Sequence, residues 1–303
     1  MSTFRIISFD GGGIKGALST RLLKRLCLDN PTLLEKTDLF AGTSTGALIA
    51  LALAYGINAN EIDDIYCYKN IKYIFSPKRF NLFHSRYKGN RLKAFIESTL
   101  SKETTLNDLQ KYVLIPAFHL KGLTQKHWQG VLFNNITENI TSNEKLVDVA
   151  LASSAAPTYF PSHNNYIDGG LLTNSPSIAS FITVLRNMKG KYTLDDFRVL
   201  SIGTGLTPKA INSNTNNWGL MQWAIKPFSK VKLPLLSILL NDDNALEDLY
   251  CQELIGDNYL RINPILLKDV EIDDYTKVPF LKSTADTYDY KKANKFIREH
   301  FLK

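Results

Sequence analysis

Runs of β-branched and aromatic residues alternate along the chain with stretches of helical periodicity, the pattern of an α/β fold. The first run, over 4–10, predicts a buried strand, closed by a triple glycine. Over 14–28, Leu18, Leu22, Leu23 and Leu26 recur at helical spacing, and Asn30-Pro31 stops the helix. A short strand is predicted over 39–43. The helix that follows, over 46–55, is apolar on every side and so must be buried. Further strands are predicted over 113–120, 130–134, 166–168 and 198–203, with a helix of small residues over 147–156 closed by Pro157. A final helix over 288–302 sets Ala293, Phe296, Ile297 and Phe301 on one stripe. The Asn- and Thr-rich stretch 212–218 reads as a mobile surface segment. No repeat or linker breaks the pattern, so residues 1–303 are expected to form a single domain.

Composition adds limits. At 44% hydrophobic and 21% charged, the chain has the make-up of a soluble globular enzyme. No apolar run reaches the ~18 residues of a membrane span, and the opening residues lack a secretory pattern. Cys27, Cys67 and Cys251 are odd in number and in no metal-ligand spacing, so neither a metal nor a cofactor is expected, and a cytoplasmic location is. The sequons at Asn135 and Asn139 are then incidental. A net charge of +7 favours anionic surfaces. With no zinc spacing, basic zipper or RNA-binding signature, nucleic acid is not the expected target, and peripheral contact with acidic lipid is the alternative.

Three short motifs carry candidate chemistry. Gly42-Thr43-Ser44-Thr45-Gly46 lies between a strand and a helix, where a serine aimed out of a sharp turn needs small neighbours. Ser44 also falls at a helix start, where free N–H groups favour developing negative charge. Asp10-Gly11-Gly12-Gly13-Ile14-Lys15-Gly16 is a second strand–helix junction. Its glycines let amides converge as an oxyanion hole requires. The same glycines match the GxGxxG dinucleotide fingerprint, although Asp29 and Glu35 are poor candidates for its ribose-binding acid. The third motif is Tyr166-Ile167-Asp168-Gly169-Gly170, preceded by Ala155-Ala156-Pro157-Thr158-Tyr159-Phe160-Pro161. It leaves an accessible carboxylate at a strand end.

In this order the three motifs resemble the patatin-like phospholipase family, which includes the group VI calcium-independent phospholipases. The resemblance runs from Arg5 to about Gly205; residues 206–303 carry none. It implies a three-layer α/β/α sandwich, a modified α/β-hydrolase-like fold around a mixed, mainly parallel sheet. It further implies a phospholipase A or lysophospholipase type of lipid acyl hydrolase. Ser44 would be the nucleophile and Asp168 its base. Gly11, Gly12 and Gly13 would supply the oxyanion hole, and Lys15 would face a lipid phosphate or stand as a solvated helix residue. Acyl transfer to an alcohol would use the same dyad. Relatives of this size include effectors switched on by nucleotides or partner proteins.

A dyad of this kind needs a carboxylate more basic than the usual ~3.9, which partial burial supplies. His84, His119, His127, His163 and His300 lie in no motif; His163 is nearest Asp168 in sequence. The stretch 66–93 interleaves Tyr66, Tyr68, Tyr73, Phe75, Phe80, Phe83 and Tyr87 with eight lysines and arginines. It is expected either at the cleft mouth, meeting anionic lipid, or with its aromatics in the core and its charges solvated.

Overall fold

The computed structural model describes residues 3–79, 83–124, 126–207, 210–225, 233–240 and 244–303. Among them, seven strands form one sheet: β1 Phe4–Phe9, β2 Leu39–Gly42, β3 Tyr112–His119, β4 Gln129–Asn134, β5 Tyr166–Asp168, β6 Phe197–Ile202 and β7 Tyr259–Ile262. The order is β4-β3-β2-β1-β6-β7, with β5 paired to β3. The β1–β2, β1–β6, β2–β3 and β6–β7 pairs are parallel, while β4 and β5 run antiparallel to β3.

Parallel strands are apolar throughout because both their faces are covered. Side chains alternate across the sheet, so β1 sends Ile7 and Phe9 into one core and Phe4 and Ile6 into the other. The first core takes Leu18, Leu22, Leu23 and Leu26 from the helix Gly16–Asp29 and, from the apolar helix Thr45–Tyr55, Ala47 and the run from Ile49 to Ala54. The second takes Phe181 and Val184 from Ser177–Asn187, and Cys251 and Ile255 from Ala245–Ile255. These are the three layers.

The predicted elements stand with shifted ends. The first helix begins only after a 3-10 turn over Gly13–Lys15, and Asn30 ends it by returning its own amide to the Leu26 carbonyl. The last helix divides into Lys291–Phe296 and a π turn, Ile297–Phe301, yet keeps its expected apolar stripe buried. Residues 212–218 hold no helix or strand. The three cysteines are free thiols. Asn135 is structural: its side chain accepts from Val113 N–H at 2.8 Å and donates to the Leu106 carbonyl. Among the described residues no helix is long and apolar enough to cross a membrane.

The last third, which carries no family resemblance, continues the same sheet and core. β7 adds a parallel strand beside β6, and the helix Val278–Asp286 packs Leu281 and Ala285 into the first core.

Candidate active site

β2 delivers Ser44. Thr43 N–H donates to the Phe9 carbonyl at the end of β1, and the chain then turns so sharply that Ser44 takes φ 53°, ψ −116°. A non-glycine residue held there costs about 1–3 kcal/mol. Both flanking glycines are steric necessities. A Cβ on Gly42 would stand 2.0 Å from the Gly46 carbonyl oxygen, and one on Gly46 would stand 2.3 Å from that of Phe9. Two serines not singled out from the sequence brace the turn. Ser44 N–H donates to Ser153 Oγ (3.0 Å), whose hydroxyl donates to the Pro116 carbonyl (2.7 Å), and Ser154 Oγ donates to the Ser44 carbonyl (3.2 Å).

The sheet topology brings Asp168 to the serine. β2 climbs one flank of β3, reaching Leu114 at Ala41, while β5 descends the same flank and reaches Ala117 at Asp168. The two strands therefore point end to end across three residues of β3, about 10 Å, and residues 42–44 span the gap. Ser44 Oγ donates to Asp168 Oδ2 at 2.7 Å, and Gly170 N–H donates to Oδ1 at 2.8 Å. Asp168 is only 2% exposed. Burial raises its pKa to about 6, against the opposing pull of the Gly170 and Ser44 hydrogen bonds.

His163 is engaged elsewhere, its Nε2 lying 2.6 Å from Asp148 Oδ1, while His119 packs edge-on against Tyr166. Among the described residues, the hydrogen bond from the serine hydroxyl goes to the Asp168 carboxylate.

The first glycine turn lies beside this pair and corrects two expectations. Gly11 N–H is already given to the Asn174 carbonyl at 3.1 Å, so it is not available to an oxyanion. Gly12 and Gly13 line the cleft, and among the described residues neither amide has an acceptor. Lys15 neither faces the cleft nor stands in solvent; it is 1% exposed, in a turn against which the helix Val278–Asp286 packs. Nor does the turn suit a pyrophosphate. Ile14 N–H at the helix entry donates to the Ile272 carbonyl, and a Cβ on Gly13 would meet that oxygen at 2.3 Å.

Below the turn, Asp10 is buried and paired. Arg261 Nη2 approaches Oδ2 at 2.5 Å, Nη1 approaches Oδ1 at 3.2 Å, and Asn244 Nδ2 donates at 2.9 Å. These partners were missed. An arginine inside the apolar strand Tyr-Leu-Arg-Ile was the available signal.

Ser44, Asp168, Gly12 and Gly13 open onto a cleft walled by Leu48, Ile71, Ile74, Phe75, Leu92, Phe95 and Phe160. The stretch 66–93 therefore forms a wall of the cleft. Tyr66, Phe75 and Tyr87 are core, Tyr68, Tyr73 and Phe83 are exposed, and Phe80 lies outside the described residues. Two of its cations turn inward, Arg86 and Lys78 meeting Asp273 at 2.9 and 3.1 Å. Burial alone would raise Asp273; the Tyr87 hydrogen bond and these cations hold it below the usual carboxylate value.

A family model described as patatin-like phospholipase matches residues 7–179. The chain is 34% identical to Protein teg of Priestia megaterium, over 99% of this chain and all of that one. It is 31% identical to CotR of Bacillus subtilis, over 99% of each. It is 33% identical to the cGAMP-activated phospholipase of Vibrio cholerae, over 71% of this chain and 70% of that one.

Proposed function

The chain belongs to the patatin-like phospholipase family, and on that premise we propose that it hydrolyses lipid acyl esters by a Ser44–Asp168 dyad through a covalent acyl-enzyme. The observation that carries this reading is the 2.7 Å hydrogen bond from Ser44 Oγ to a carboxylate raised to about 6 by burial. As the oxygen attacks the ester carbonyl, its proton passes to Asp168 Oδ2. The new oxyanion lies toward the amides of Gly12 and Gly13. Collapse of the tetrahedral intermediate breaks the bond to the alcohol, which leaves with the proton from Asp168. Water then repeats the sequence on the acyl-serine, with Asp168 as base.

A carboxylate near 6 suits both halves of the cycle, since it is ionised at neutral pH yet basic enough to accept a proton. Each oxyanion donor contributes roughly 10²–10³ in rate. The apolar walls of the cleft fit an acyl chain, and the phospholipase-type substrate follows from the family.

Fluorophosphonate labelling of wild type, Ser44→Ala and Asp168→Asn, with lipid-product analysis, tests the proposal. Labelling of wild type that Ser44→Ala abolishes, together with release of free fatty acid from phospholipid, is the expected result. Labelling retained by Ser44→Ala would remove it.

A further inference from the structure

One rim of the cleft is an apolar helix covered on one side only. Around Pro234–Leu239, Leu233 and Leu236 lean on the first core. One turn further on, Leu240 lines the cleft, where a Cβ on Gly170 would stand 3.0 Å from its Cδ2. The spacing of three and then four residues keeps these side chains on one stripe. The other stripe, Leu235, Ile238 and Leu239, is more than half exposed. The helix Leu220–Ala224 packs beside it and adds Met221 and Leu220, the latter 83% exposed.

A helix apolar on both faces calls for cover on both, and a contiguous apolar patch left in water marks a binding surface. Place, chemistry and charge together say what covers this one. The inward stripe ends in the cleft, so whatever lies on the outward stripe lies at the mouth by which an ester reaches Ser44. Residues 218–225 and 233–240 include no charged side chain. The outward residues are mostly branched aliphatics, whereas protein interfaces rely on tyrosine and arginine anchors. Trp218 and Trp223 pack edge-on at 5.0 Å in the same unit, and indole favours the headgroup level of a bilayer. The chain as a whole carries a net charge of +7, which draws it to anionic surfaces.

Resting on the ester reading of the cleft, we propose that the face made by Leu220, Met221, Leu235, Ile238 and Leu239 docks on an anionic lipid bilayer. Its side chains enter the boundary between headgroups and acyl chains, as those of an interfacial helix do. The cleft mouth is thereby set against the bilayer, and a lipid passes to Ser44 without crossing water.

The test measures co-sedimentation with vesicles of equal parts phosphatidylcholine and phosphatidylglycerol, in a Ser44→Ala background so that the lipid is not consumed. Turnover is measured with Ser44 present, on the same vesicles and on p-nitrophenyl butyrate, which needs no membrane. Leu235→Ser/Leu239→Ser is expected to lower vesicle affinity and fatty-acid release at least about tenfold, with butyrate turnover unchanged. Leu220→Ser/Met221→Ser gives the same reading from the neighbouring helix if the first variant does not fold. The control is Leu28→Ser, exposed toward the far end of the helix Gly16–Asp29, about 18 Å along its axis from the glycine turn, and it should change nothing. Vesicle affinity unmoved by both double variants, or lost equally in Leu28→Ser, overturns the docking face. So does a wild-type dimer that the double variants split while vesicle affinity holds, since the face then belongs to a second copy. Butyrate hydrolysis that persists in Ser44→Ala removes the ester reading instead, and vesicle affinity, read without turnover, keeps the two failures apart.

Discussion

β1 and β2 are neighbouring parallel strands in register at Phe9 and Gly42, and each ends in a glycine turn that opens a helix. The turn after β2 is made by steric fit. Its glycines touch one another and the end of β1, its serine is held at positive φ, and Ser153 and Ser154 brace its backbone. The turn after β1 is made by distant partners. Thr204 Oγ1 donates to the Gly11 carbonyl, and Asn244 and Arg261 hold Asp10, from 193 to 251 residues away. Aiming a nucleophile takes a rigid local kink, which a pentapeptide can encode. Holding amides ready for a transient charge takes a frame around the turn, and here the last third of the chain supplies it.

The largest effect comes from breaking the chemistry of the β2 turn while leaving both frames intact. Ser44→Ala is expected to lower kcat/KM for a soluble ester by at least about 10⁴-fold, and Asp168→Asn by about 10²–10⁴-fold. Circular dichroism should remain that of the wild type. Near-normal turnover by Asp168→Asn would mean that the carboxylate positions Ser44 without accepting its proton.

The frame of the β1 turn is charged, so it should fail through stability. Arg261→Met leaves the buried Asp10 carboxylate with Asn244 but no counter-charge, a loss of about 3–5 kcal/mol in chemical denaturation. Adding Asp10→Asn to Arg261→Met should recover much of that loss, because the cost lies in the stranded charge. If Arg261→Met unfolds with the wild-type midpoint, an ion pair does not hold this turn.

A smaller effect is expected at the braces of the β2 turn. Ser153→Ala removes the acceptor for Ser44 N–H and the donor to the Pro116 carbonyl, costing about 2 kcal/mol. Because Ser153 braces the backbone of the proposed nucleophile, kcat should fall while KM holds. An equal fall in stability with unchanged kcat would show that the kink is aimed without it.

The same contrast explains what the sequence revealed. Ser44, its two glycines, the strands β1 and β2 and the buried helix after Ser44 were all legible, because periodicity and steric need act over a few residues. The glycines over 11–13 stayed ambiguous between an oxyanion hole and a dinucleotide turn. The deciding facts, Gly11 N–H on Asn174 and Ile272 against Gly13, come from chain segments more than 150 residues on. Lys15 misled for the same reason: nothing within its own turn says that the Val278–Asp286 helix packs there. The four-residue β7 was too short to stand out, and Arg261 within it gains meaning only once Asp10 lies beside it.

The smallest effect concerns what the β2 turn gives up in stability to obtain a usable base. The pKa of Asp168 rises from an ordinary 3.8 to about 6 on folding, so the folded protein favours the neutral acid. A raised carboxyl contributes stability that is whole below about pH 4 and lost as pH rises through 6; two units correspond to about 3 kcal/mol. Above pH 6 the ionised carboxylate therefore opposes folding, while the rate on a soluble ester should climb through an apparent pKa near 6. The side-chain amide introduced by Asp168→Asn carries no charge at any pH, but it must share Ser44 Oγ and Gly170 N–H less favourably. The net gain at pH 7.5 is expected to be about 1 kcal/mol. Thermal unfolding of wild type and Asp168→Asn from pH 4 to pH 8 measures it: the difference should be near zero or negative at the acid end and turn in favour of the variant above pH 6. A difference that does not change with pH would mean that the buried carboxyl is not strained by its charge, and the β2 turn would then owe its tension to backbone alone.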